Sequence, residues 1–264
     1  MTMGKYDSSK YRVRPLMEIV KNDFDAYKKV ISLLNIDDFK NMDDIGKPLE
    51  YYYDSGNGCK EKQLKPTKEH LEKLIIYVSK KDFGNAVVKN SKRRQLCIPE
   101  KENPNSREDA YEEAIKALHK NYDKLTPTSR AWYVFEGFTN PDIFIEAEDY
   151  VIVCEGKWTE SDITTHTTNL CEKDEYRNQM IRHIQGALNY TDKKVYAFYI
   201  VDEGCGYEEK LKIDNFPNLV EDETIEIEKP EKIIEAYKGY ITWQQIKEII
   251  PNVEFKTKEE IDRA

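Results

Sequence analysis

Apolar residues recur along this chain in two periods, and the change from one to the other marks out its elements. Helical spacing is expected over residues 16–34. Leu71, Leu74, Ile75 and Val78 predict a second helix opening near Pro66, with Thr67 as its cap. Ala110, Ala114, Ala117 and Leu118 supply the buried side of a helix over residues 106–122, begun by Ser106 with Glu108 and Asp109 in its first turn. Residues 130–138, aromatic and Val-rich, predict a strand. Residues 142–146 and 150–158 predict a hairpin turning at Glu148-Asp149. Tyr176, Met180, Ile181, Ile184 and Leu188 predict a helix over 174–190, and residues 195–201 read as a strand buried on both faces. Further helices are expected at 230–237 and 242–250, the last opened by Thr242 with Gln245 three residues on. From Ser106 the order is helix, three strands, helix, strand.

Residues 99–106, rich in Pro, Asn and Ser, read as a linker. The expected organisation is therefore a mostly helical N-terminal module over 1–100, a core over 106–205, and a C-terminal extension over 206–264. The length of 264 residues suits one large domain or a catalytic core with an added module, and the second is preferred. A 39% hydrophobic and 34% charged composition with 18 tyrosines describes a folded, polar protein. No apolar run approaches the roughly 20 residues that span a bilayer, and residues 1–7 lack a signal-peptide core, so no membrane association and a cytoplasmic location are expected. The five cysteines form no Cys-x-x-Cys pair and read as reduced thiols; His166 and Cys171 lack the second pair that zinc requires.

A net charge of -9 argues against nonspecific coating of nucleic acid, so any such contact must be local. The concentrated basic segment contains Lys89, Lys92, Arg93 and Arg94, which face phosphate or simply form a solvated helix end. The acidic run Glu221-Asp222-Glu223 serves solubility or masks a basic groove.

The hairpin carries the chemistry. A tight turn at Glu148-Asp149 sets Glu146 opposite Val151, Phe144 opposite Val153, and hence Asp142 opposite Glu155. Cross-strand side chains lie about 5 Å apart at Cβ, and like charges there destabilise a sheet unless something positive lies between them. A divalent cation fits, and Lys157 points to the same side as Glu155. Elsewhere both hairpin faces are apolar: Phe144, Val151 and Val153 on one, Ile143, Ile145, Ile152 and Cys154 on the other.

Pro141-Asp142, followed by Glu155-Gly156-Lys157 within the order α-β-β-β-α-β, resembles the PD-(D/E)XK nuclease superfamily over residues 106–203. The resemblance implies an α/β fold with a restriction-endonuclease-like αβββαβ core and a mixed sheet flanked by helices. It also implies a Mg²⁺- or Mn²⁺-dependent endonuclease acting on DNA, of restriction or repair type. Asp142 and Glu155 would be metal ligands, and Lys157 would orient the attacking water or offset charge on the phosphate. Such nucleases often add a glutamate from the first core helix. Glu108, Glu112 and Glu113 compete for that role, and Glu113, bordering the apolar side, is preferred. Gln179 and His183 lie one turn apart on the following helix, where the family places supporting polar groups. Glu136 would face away from the site unless the turn at Thr139-Asn140 slips by one residue. Relatives that cut both strands pair two subunits, so a homodimer is a family-level expectation. The alternative is a nucleic-acid or protein-binding module that keeps the fold without hydrolysis, or an assembly protein without metal.

Overall fold

In the computed structural model, which describes residues 6–34, 36–39, 45–56, 60–80, 90–97, 106–159, 163–166 and 176–263, the stretch expected as one helix over 16–34 is cut in two. The Asp23 carboxylate accepts from the backbone N–H of Asp25 and Ala26, capping a new helix. The products are α1 (Arg14–Val20) and α2 (Phe24–Ser32). Then come β1 (Glu50–Tyr53), α3 (Lys68–Lys80), α4 (Ser91–Cys97) and α5 (Ser106–Asn121). The hairpin of β2 (Ile143–Glu146) and β3 (Tyr150–Gly156) leads to a short antiparallel pair, β4 (Thr164–His166) and β5 (Tyr176–Asn178). α6 (Gln179–Tyr190) and β6 (Lys194–Val201) follow. Last are α7 (Phe216–Glu221), α8 (Pro230–Ala236), β7 (Tyr237–Thr242), α9 (Trp243–Ile249) and α10 (Lys258–Asp262).

The fold is α/β, with a five-stranded mixed sheet in the order β1-β2-β3-β6-β7 flanked by helices. β2 pairs antiparallel with β1 on one side and with β3 on the other, whereas β6 runs parallel to β3 and β7 parallel to β6. The hairpin has the expected register, with Glu146 opposite Val151 and Phe144 opposite Val153. One sheet face, with Ile143, Ile145, Ile152, Cys154, Phe198 and Ile200, packs under Leu16, Met17, Tyr27 and Ile31 of α1 and α2 and Trp243 of α9. The other, with Phe144, Val151, Val153, Ala197 and Tyr199, packs under Met180, Ile181 and Ile184 of α6 and the α8 side chains. Both faces are dry, which explains why β6 is apolar at every position from Val195 on. Residues expected as an N-terminal module thus supply an edge strand and one covering layer of the sheet.

Three expectations fail for identifiable reasons. Residues 130–138 form no strand: the Arg93 guanidinium takes the carbonyls of Trp132 and Val134, at 2.7 Å each, that a neighbouring strand would need. Tyr133 and Phe135 pack instead against α3 and α5 in a third cluster. The strand beside β2 is β1, drawn from a segment that reads as turn-rich. β7 was not anticipated, because Lys238 and Gly239 interrupt its apolar alternation; the sheet register shifts alongside it, and Gly239 takes φ +83°, a value that favours glycine. By contrast Thr242 caps α9 in a reciprocal pair with Gln245, as expected.

Candidate active site

Continuing the hairpin register by one pair sets Asp142 opposite Glu155, and both side chains are buried. Asp142 accepts from the Gly156 N–H at 2.9 Å and from the Ser9 hydroxyl at 2.5 Å. Glycine is required at 156: a Cβ there would meet Val13 Cγ2 at 2.9 Å and Trp243 Cζ2 at 3.0 Å. Glu155 lies 3.2 Å from the Lys157 ammonium and accepts from Gln179 Nε2 at 2.6 Å. Lys157 donates to Gln179 Oε1 at 2.7 Å, so Lys157, Glu155 and Gln179 close a three-membered ring of contacts. Trp243 Nε1 donates to the Lys157 carbonyl at 2.8 Å, fixing the backbone that carries the ammonium.

His183 is 1% exposed, with Nε2 3.0 Å from Glu155 Oε2 and Nδ1 2.7 Å from Thr139 Oγ1. Burial lowers its pKa, so the ring is neutral near pH 7. A carboxylate only accepts, hence Nε2 carries the proton and Nδ1 accepts from the Thr139 hydroxyl. Burial also pushes Glu155 upward, but the Lys157 charge and the His183 hydrogen bond outweigh it and hold Glu155 below its usual value. Asp142 goes the other way: burial and then the charge of Glu155 lift it well above its usual value. One carboxylate of the pair is stabilised as an anion, and for the other burial and the Glu155 charge outweigh Ser9, the Gly156 N–H and Lys157.

The other sequence candidates lie elsewhere. Glu113 is exposed on α5, paired with Lys92, and α5 packs against α3 and α4. Its proximity to Ala110 and Ala117 placed it beside an apolar face, but that face covers α3 and not the hairpin. Of the basic segment, Lys92 is engaged by Glu113, Arg93 is bound to backbone carbonyls, and Arg94 is exposed; Lys89 lies outside the described residues. Cys171 and the His166 side chain also lie outside them.

A carboxylate that sequence reasoning missed is Glu61. Leu64 and Thr139 form an antiparallel bridge, with mutual N–H to O distances of 2.8 and 2.9 Å, which brings residue 61 alongside Asn140 and Asp142. Burial, then the charges of Glu155 and Asp54, raise Glu61 to about 7. Its only local signal is the turn-forming Asp54-Ser55-Gly56 that sends the chain back toward the hairpin. The folded state holds this proton more tightly than the unfolded chain does. The stabilisation is therefore complete below pH 4.5 and is lost as pH rises through about 7. In chelator, the melting temperature of the wild type is expected to fall between pH 5 and 8 more steeply than that of Glu61→Gln. Equal slopes would remove Glu61 from the coupled group.

A second buried cluster gathers around Arg177 of β5 and Arg182 of α6. Arg177 Nη1 lies 2.7 Å from Glu136 Oε1, and Arg177 Nε 3.1 Å from Glu223 Oε2. Arg182 and His70 also reach Glu136, at 3.3 and 3.0 Å. Glu136 thus sits on no strand face and does not enter the site, but holds this cluster together. Burial disfavours its charge, but Arg177, His70 and Arg182 hold it well below its usual value. Glu223 of the acidic run accepts from the Asn178 N–H at 2.7 Å, where α6 begins.

A cleft of about 540 Å³ lies at the opposite end of β6, against Lys194 and Tyr196; there Lys194 pairs with Asp38 and Lys193 with Glu146. Among the described residues no helix is long and apolar enough to cross a membrane, and no three His, Cys, Asp or Glu side chains are gathered as a metal-holding group. Compared with family models, curated proteins and solved structures, the chain matches none.

Proposed function

We propose that this chain is a metal-dependent endonuclease that hydrolyses phosphodiester bonds in DNA, in restriction or repair, on a restriction-endonuclease-like core. The observation that carries the proposal is the buried Asp142 and Glu155 pair with Lys157 against it at the end of β3. Topology adds support. A helix, three antiparallel strands, a helix and a parallel strand occur in the order α1, β1, β2, β3, α6, β6, with α2 between the first helix and strand, α3, α4 and α5 between the first two strands, and the β4–β5 pair before α6. The first helix and strand of that order come from residues before 54, and not from residues 106–138.

The donors suit a hard cation. Mg²⁺ keeps several waters and is commonly held by one or two carboxylates together with substrate phosphate, and Asp142 and Glu155 offer two carboxylates. Asp142 is lifted by burial and by the charge of Glu155, a repulsion that a cation between the two carboxylates would relieve. When bound, Mg²⁺ or Mn²⁺ supplies Lewis acidity toward the phosphate and lowers the pKa of a water. Asp142 and Glu155 hold it. Lys157, steered by Gln179, presents its ammonium to the water or to the charge growing on the phosphate. Neutral His183 keeps Glu155 oriented through Thr139.

Plasmid nicking with and without Mg²⁺ tests the activity, and calorimetry with Mn²⁺ tests the site. The wild type is expected to cut only with metal and to bind Mn²⁺ more tightly as pH rises, because the ion displaces a proton from the carboxylate pair. Asp142→Ala is expected to lose both. A wild type that binds no Mn²⁺ and leaves the plasmid intact would overturn the proposal.

A further inference from the structure

The segment that meets Asp142 also builds a surface. Residues Ser9–Val13 form a π-helical turn running into α1, a geometry frequent at functional sites, with Ser9 anchored on Asp142. Tyr6 and Tyr11 meet the Trp158 ring edge-on, with centroids 5.7 and 6.3 Å away, and Trp158 directly follows Lys157. The Arg12 guanidinium lies 3.9 Å from the Trp158 ring and donates to the Lys256 carbonyl, which ties the residues leading into α10 to the same place. Three exposed ammonium groups stand over the rings: Lys10 4.9 Å and Lys256 6.0 Å from Tyr11, and Lys258 5.8 Å from Tyr6.

We infer that this surface carries the nucleic-acid strand beside the scissile bond, with phosphates on Lys10, Lys256 and Lys258 and bases against Tyr6 and Tyr11. The inference rests on the nuclease proposal above and deepens it. Charge here is asymmetric. Asp7 accepts from the Lys10 N–H, Asp262 from the Tyr6 hydroxyl and Glu260 from the Thr257 N–H, while Glu259 lies 3.7 Å from Arg263. The acids interleaved with the lysines are thus engaged by the protein, Glu254 excepted, whereas none of the three lysines forms an ion pair among the described residues. Lysines alternating with aromatic faces suit a polyanion whose bases can stack, and the position next to Lys157 is where such a strand must pass. The α4 segment is a poorer track, since Lys92 and Arg93 are already committed.

The test uses the full chain carrying Lys157→Ala to prevent cleavage, with a labelled 20-nucleotide single strand and a 20-base-pair duplex in separate anisotropy titrations. Each phosphate contact contributes about 0.7–0.9 to the slope of log affinity against log salt. Combined Lys10→Gln, Lys256→Gln and Lys258→Gln is expected to weaken binding at least tenfold and to flatten that slope by about 2. Tyr11→Ala is expected to weaken the single strand more than the duplex. If the parent binds and the triple variant binds equally well with the same slope, the surface is misassigned and the nuclease proposal stands. If the parent binds neither probe and the wild type cuts no plasmid, the nuclease proposal fails and takes this inference with it.

Discussion

Lys157→Ala is expected to reduce Mg²⁺-dependent cleavage by about a thousandfold, the scale seen when one group that offsets transition-state charge is removed. The same variant is expected to retain its Mn²⁺ binding heat, because the ammonium is not a ligand. This separation would distinguish Lys157 from Asp142, whose replacement is expected to remove metal and activity together. Lys157 also offsets Glu155 at 3.2 Å, so its loss lets the pKa of Glu155 rise, and the activity profile is expected to shift toward higher pH. Retained cleavage would remove Lys157 from the chemistry, and lost Mn²⁺ binding would make its role structural. Circular dichroism in the presence of metal checks that the variant is folded.

Glu136→Ala is expected to be the most destabilising single replacement. It removes the buried carboxylate that Arg177, Arg182 and His70 share and leaves Arg177 only the Glu223 carboxylate among the described residues, and breaking a buried pair from one side costs about 3–5 kcal/mol. For a chain of this size the melting temperature falls by roughly 10 °C. A urea titration should show a lower midpoint with an unchanged slope. A loss below about 1 kcal/mol would mean that the two arginines find other partners. The pH dependence has its own sign. Glu136 is held below its usual value, so its contribution is present above pH 4.5 and is lost as pH falls through the lower folded value. Glu223, raised to about 7 by burial, contributes in the opposite sense and fades as pH rises through 7.

What could be read from the chain was whatever is decided by neighbours. The hairpin register followed from a period of two and a tight turn, and it alone brought Asp142 and Glu155 together. The apolar stripe of α6 was legible for the same reason, and with it the one-turn spacing that sets Gln179 and His183 on Glu155. The rest depended on distant partners. Aromatic residues at 133 and 135 satisfy a strand or a helix-packed cluster equally, and the arginine that decides between them lies some forty positions earlier, at 93. Glu61 and Ser9 reach the site through the β1 edge and the turn before α1, which no local period reveals. Glu113 failed because a helix face can be apolar without facing the sheet.

Strand β1 ends at Tyr53, yet its partner opens only at Ile143. On a ribosome the first strand therefore emerges long before anything can pair with it, and its hydrogen-bonding edge waits while α3, α4 and α5 are made. The hairpin, α6 and β6 are close in sequence and can assemble among themselves at low loop-closure cost. Docking of β1 then comes late, and the arrival of Ser9 and Glu61 beside the carboxylates comes with it. A nascent chain would in this way leave Asp142 without its Ser9 partner until its amino-terminal portion has folded back onto the finished hairpin.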